Sequence, residues 1–175
     1  KDLPRIIETH QIDIFLLQPK NLILNIALSK GNLGGIGEML LGVFLLAYSQ
    51  HLYSLMIPFI LSGAILFIFS LYLYLGSIAF FLKNSTGFIY ELYQNATIVA
   101  TQPNSAYSGL FWMFTLTILP TAYVSYFPVE YLRTGMWIHL LYAFLGIVVF
   151  FAIACGLFRF GLKQYESGSA MAHRF

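Results

Sequence analysis

Between Ser54 and Leu82 the chain reads SLMIPFILSGAILFIFSLYLYLGSIAFFL, with no charged side chain and only Ser and Tyr as polar content. As a helix at ~1.5 Å per residue this stretch reaches ~43 Å, against a bilayer core of ~30 Å. A soluble domain rarely covers a helix on all sides over that distance, so the stretch predicts a membrane span. Composition extends the conclusion to the whole chain. Charged residues are 9% and apolar residues 59% of the 175 positions, and the mean hydropathy is +0.77. Soluble domains average about 25% charged residues, so the chain is expected to be an integral membrane protein and not a soluble domain with an anchor. Cys155 is the only cysteine, which excludes disulfides within the chain and Cys-based metal sites. The opening KDLPRIIETH has neither an initiator Met nor a signal-peptide pattern. It is expected of a piece of a longer protein whose N-terminal part is missing.

Three further spans are expected, at about 32–49, 108–126 and 136–158, around the central one at 54–82. The predicted fold is an all-α helical bundle with four transmembrane helices and short amphipathic interfacial helices. Residues 1–30 form a polar but apolar-studded segment on the membrane surface, with Asp2 and Pro4 suited to start a helix and Pro19 to break one. Residues 31–167 form the transmembrane domain, and 168–175 a polar tail. QHLY joins the first two spans into a tight hairpin. After it, Phe88, Ile89, Leu92, Tyr93 and Ala96 fall on one helical face, with Glu91, Gln94 and Asn95 opposite. That pattern predicts an amphipathic helix capped by Asn84, Ser85 or Thr86 and ending before Pro103. FPVEYLRTG is expected to be a short turn-back between the last two spans.

Lys and Arg set the orientation. With the N-terminus inside, one side holds Lys1, Arg5, Lys20, Lys30, Lys83, Arg159, Lys163 and Arg174, and the other Arg133 alone. Both ends of the chain are therefore expected to be cytoplasmic.

Chemistry is sparse. GNLGGIG fails as a phosphate loop, because Ile36 and Gly37 stand where Walker A needs Gly and Lys. It also fails as a dinucleotide fingerprint, because Leu40 replaces the third Gly. Gly31 and Gly35 instead allow close approach of a neighbouring helix. Glu38 and His139 are the ionisable side chains within the spans. They sit at opposite ends of the bundle and cannot share one site. Glu38 is a candidate for transport chemistry, or for reaching headgroups or a neighbouring helix; His139 is a candidate proton carrier or an interface residue. No catalytic cluster, metal set or cofactor motif is present, so no cofactor is expected.

IDIFLLQPKNLI before the first span, PTAYVSYFPVEYL after the third and FRFGLKQYESGS at the end occur in this order. Together they resemble the permease subunits of ABC-2 type exporters, in the branch called ABC-2 family transporter proteins. The resemblance runs over the whole chain, which would match the last four of six spans. It implies a membrane-spanning subunit that forms the substrate path and is powered by a separate ABC ATPase. Its partners would be that ATPase, a second permease subunit and membrane lipids, with no nucleic acid, in the bacterial inner (plasma) membrane. It also implies an ATPase contact at Ile12, Asp13, Gln18, Pro19 and Lys20, and an outer re-entrant element carrying Pro128, Glu130 and Arg133. Gln11 stands where the family often has Gly, and Gln18 where Arg often precedes the Pro. The alternative reading is a non-transporting membrane scaffold or assembly protein, motivated by the few polar groups inside the spans. A membrane-embedded enzyme is a third reading, which a cluster of Asp or His in the missing part would revive.

Overall fold

A continuous apolar run with no Pro after its first turn leaves the backbone one way to satisfy its own polar groups, and the central stretch takes it. In a computed structural model, which describes residues 3–17, 22–28, 37, 40–44, 48, 56–82 and 85–165, this stretch is a helix over Ile57–Ser77. A 3-10 turn, Ile78–Phe80, prolongs it. In chain order the described helices are α1 (Leu3–Glu8), α2 (Ile12–Leu16), α3 (Leu22–Leu28), α4 (Ile57–Ser77), α5 (Thr86–Ala100), α6 (Gly109–Thr117), α7 (Tyr126–Thr134) and α8 (Trp137–Gln164). Among the described residues there is no strand, in agreement with the all-α expectation.

Among the described residues two helices are long and apolar enough to cross a membrane, Ile57–Phe80 and Trp137–Gln164. Only 33% and 28% of their apolar windows are buried inside the protein. The remaining surface carries large apolar side chains, such as Ile65 at 60% and Val149 at 57% exposure. Such surfaces are incompatible with water along a whole helix and suit lipid or a partner helix.

The span expected at 108–126 takes a different form. α6 has 9 residues, ~13 Å of rise, too short to cross alone. It and Thr121–Thr134 together form a pair bent by 86°. The break lies at Pro120, which has no N–H to continue the ladder and turns the chain at φ −71°, ψ 49°. FPVEYLRTG is correspondingly helical and not a turn: Pro128 falls within the first turn of α7, where Pro is tolerated. Gly135 then ends the helix in the left-handed region at φ 70°, its N–H donating to the Tyr131 carbonyl. Thus the described residues hold two spanning helices and one bent pair, where three of the four expected spans were placed. Of the first expected span, 32–49, positions 37, 40–44 and 48 are among the described residues and are helical, and the rest lie outside them.

The chain divides into two compact units. One comprises residues 1–30, 69–95 and 151–175. Within it Phe69 and Phe151 meet at a tilt, and Phe80 lies edge-on to Phe158. Leu3, Ile6 and Ile7 of α1 are buried, and α1 packs on the 3-10 turn Ile78–Phe80. The other unit comprises residues 31–68 and 96–150. There Phe59 meets Phe144, Phe67 meets Phe150, and Trp112 sits edge-on to Tyr126 across the bend.

Two glycines on α8 make a paired test. A Cβ at Gly146 would fall inside the Tyr123 ring, whereas one at Gly156 would meet nothing within 4 Å. Gly146→Ala is expected to destabilise by ~1–3 kcal/mol through overpacking. Gly156→Ala is expected to be neutral or to stabilise by up to ~1 kcal/mol through helix propensity. Thermal unfolding of both variants in detergent checks the difference, and equal midpoints would count against the Tyr123 contact.

Candidate functional site

In the sequence LPRIIETH the apolar pair Ile6–Ile7 turns inward, which leaves the end of α1 to present Glu8. The start of α5 needs what Glu8 offers. The first N–H groups of any helix lack intrahelical partners, and residues 85 and 86 are Ser and Thr, ordinarily their own caps. Here both act as donors. Glu8 Oε1 accepts from the Ser85 amide at 2.5 Å, the Ser85 hydroxyl at 3.0 Å and the Thr86 amide at 3.0 Å, while Oε2 accepts from the Thr86 hydroxyl. A helix is thus capped by a carboxylate 77 positions earlier in the chain. Burial pushes the Glu8 carboxyl up, but the side-chain and backbone hydrogen bonds from Thr86 and Ser85 outweigh it and hold it below its ordinary value of 4.5.

The chain then turns at His10, whose φ of 57° lies in the left-handed region. For a residue with a Cβ that conformation is uncommon and needs surrounding support. Tyr165, immediately after α8, supplies it: its hydroxyl is 3.1 Å from His10 Nδ1, and the two rings lie 5.8 Å apart. The same phenol donates to the Asp13 carboxylate. It must therefore accept from His10, which places the proton on Nδ1. Burial, then the Asp13 charge and hydrogen bond, push the Tyr165 phenol up to about 12. It stays protonated across the physiological range. Two polar latches, Glu8 on α5 and His10–Tyr165–Asp13 on the end of α8, thus fix the α1–α2 segment.

Of the residues expected from the sequence to meet an ATPase, Ile12 is fully buried and holds α2 in place, and Asp13 is engaged by Tyr165. Gln18, Pro19 and Lys20 lie outside the described residues, as does Glu38. What α2 exposes instead is an apolar ridge: Ile14 at 61%, Leu16 at 50% and Leu17 at 86%. Pro128, Glu130 and Arg133 share one helix, α7, with Pro128 buried. Glu130 and Arg133 pair at 3.0 Å, with 15% and 67% of their side chains exposed. His139 lies in the first turn of α8, its Nδ1 buried with no hydrogen-bond partner among the described residues and its ring 6.5 Å from Phe127.

Sequence reasoning missed Glu8, His10 and Tyr165. Their partners lie 77 to 155 positions away, so no local pattern signals them. Among the described residues no group of three or more His, Cys, Asp or Glu is placed to hold a metal. A cavity in the second unit, about 530 Å³ between Phe59 and Trp137–Phe144, is lined by Met, Leu, Ile and aromatic side chains. The arrangement fixes one segment mechanically.

Glu8→Gln removes the charge that four donors address and is expected to cost about 1 kcal/mol, the usual worth of a helix cap. A carboxyl whose folded value is lowered stabilises above its unfolded value and loses that contribution as pH falls through the folded one. The stability gap between native protein and Glu8→Gln is therefore full at pH 7 and closes on acidification below about pH 4.5. Thermal melts of both proteins across that range test it; a gap independent of pH would show that the carboxylate charge is not what holds α5.

The family model for ABC-2 family transporter proteins matches residues 1–169, which takes in the latched segment, both spanning helices and the bent pair. No curated protein and no solved structure gave a match. With nearly the whole chain covered and the apolar helices in place, this protein belongs to the ABC-2 family of transporter proteins and is a membrane permease of the ABC transporter type.

Proposed function

We propose that the chain is the path-forming part of an ATP-driven exporter, coupled through its α1–α2 segment to an ATPase on a separate polypeptide. The observation that carries this reading is the contrast within that segment. Its backbone is fixed to α5 and to the end of α8 by Glu8, His10 and Asp13, yet Ile14, Leu16 and Leu17 remain exposed. Apolar side chains held outward on a fixed mount are what a docking surface requires. A push on α2 would pass through the two latches to α5 and α8, the kind of rigid-element shift that interconverts access states. Gln18, Pro19 and Lys20 follow α2 directly in sequence and extend the proposed contact.

In the same reading both ends of this chain face the cytoplasm, as the eight-to-one distribution of Lys and Arg favours. The membrane is the bacterial inner membrane. The bent α6–α7 pair, with Pro128, Glu130 and Arg133, forms the outer re-entrant element, and a second permease subunit completes the path. The rival scaffold reading draws on the few polar groups in α4 and α8, and it predicts no effect of α2 on any ATPase.

Co-purification separates the two. The full-length subunit is expected to bring down a Walker-A-bearing ATPase from native membranes. The double substitution Leu16→Asp, Leu17→Asp should reduce that recovery about tenfold or more, the scale of an apolar hot spot. Recovery of no ATPase, or the same amount with both proteins, would remove the coupling proposal.

A further inference from the structure

We propose that the cavity between α1, α4 and the first turns of α5 binds one anionic phospholipid. The cavity holds about 380 Å³, within the range of small-ligand pockets. Its chemistry is graded. The inner wall is apolar and aromatic: Leu75 is buried, and Tyr72 and Tyr93 stack at 4.2 Å. Tyr72 and Leu75 belong to a helix long enough to cross the membrane, so this wall lies at acyl-chain or glycerol depth.

Polar side chains line the same cavity. Arg5, on α1 and so outside the spanning helices, lines the same cavity and is exposed. Among the described residues its guanidinium pairs with no carboxylate, because Glu8, one turn on, is committed to Ser85 and Thr86. Tyr90 also lines the cavity. Its hydroxyl accepts from Gln94 at 2.6 Å, which leaves its own proton to donate. A guanidinium and a phenol proton beside an aromatic slot match a phosphate head with a chain behind it. An uncharged lipid would leave Arg5 unused, and a free phosphate would leave the aromatic wall unused.

Gly87 provides an internal control. It lines the cavity, and a Cβ there meets nothing within 4 Å. A Cβ at this lining position therefore displaces no protein, in a helix that tolerates a side chain better than Gly.

Native mass spectrometry of the full-length subunit in neutral detergent tests the site. The probes are phosphatidylglycerol, phosphatidylcholine with the same acyl chains, and glycerol 3-phosphate. One phosphatidylglycerol is expected to be retained about tenfold more tightly than phosphatidylcholine, whose phosphate can also meet Arg5 but carries a quaternary ammonium that offsets its charge. Arg5→Gln should bring the two lipids level. Gly87→Leu should abolish retention of both while leaving the thermal midpoint unchanged or raised. The proposal is overturned if the native protein retains both lipids equally, if Arg5→Gln changes nothing, or if phosphatidylglycerol survives Gly87→Leu. Displacement of the lipid by glycerol 3-phosphate would also overturn it, in favour of a plain phosphate site. None of these outcomes depends on ATPase recovery, so the site and the coupling reading stand or fall separately.

Discussion

A backbone N–H or C=O inside lipid has no water to turn to, and this single constraint accounts for most of the architecture. It keeps α4 and α8 helical through Gly63, Gly76, Gly146 and Gly156, residues that would weaken a helix in water. It also explains why the sharp break at Pro120 lies among protein groups. Thr121 and Ala122 there are fully buried, Ser125 donates to the Thr121 carbonyl at 2.9 Å, and the Tyr107 and Ser125 hydroxyls meet at 2.6 Å. Irregular backbone is tolerated at this depth only when side chains close around it. The same accounting holds at the start of α5, where a distant carboxylate answers the open amides.

What was legible in the sequence follows from the range of each interaction. The central span needed only its own apolar run. α5 needed its 3.6-residue pattern and Pro103, and it ends at Ala100, near where the pattern placed it. Its exposed Phe88 shows the limit of such reading, since a face drawn from periodicity does not say which of its members find a neighbour. The bend in the third span was hidden by composition: GLFWMFTLT and TAYVSYF are alike in apolar and aromatic content on either side of Pro120. The turn-back was misread because Pro128 and Glu130 suggest a loop, whereas Pro is also at home in a helix's first turn.

The resemblance to a family drew attention to the α1–α2 segment, but it did not distinguish the two sides of that segment. Ile12 and Asp13 hold α2 from behind, and the outward surface is made by Ile14, Leu16 and Leu17. Distinguishing the two sides of a five-residue helix needs the partners, and those come from Tyr165 and from α1, at opposite ends of the chain. The family match and the geometry therefore contribute different things. One says what class of machine the chain belongs to, and the other says which side chains carry load within the first unit.

The cap on α5 also makes the seating of α1 observable without a ligand. Because Glu8 supplies the acceptor for the Ser85 and Thr86 amides, lifting α1 away would free two backbone protons at one end of a helix whose interior stays bonded. Exchange with deuterated solvent at those two positions would then run ahead of the rest of α5. The start of one helix thus acts as a gauge of where another one sits.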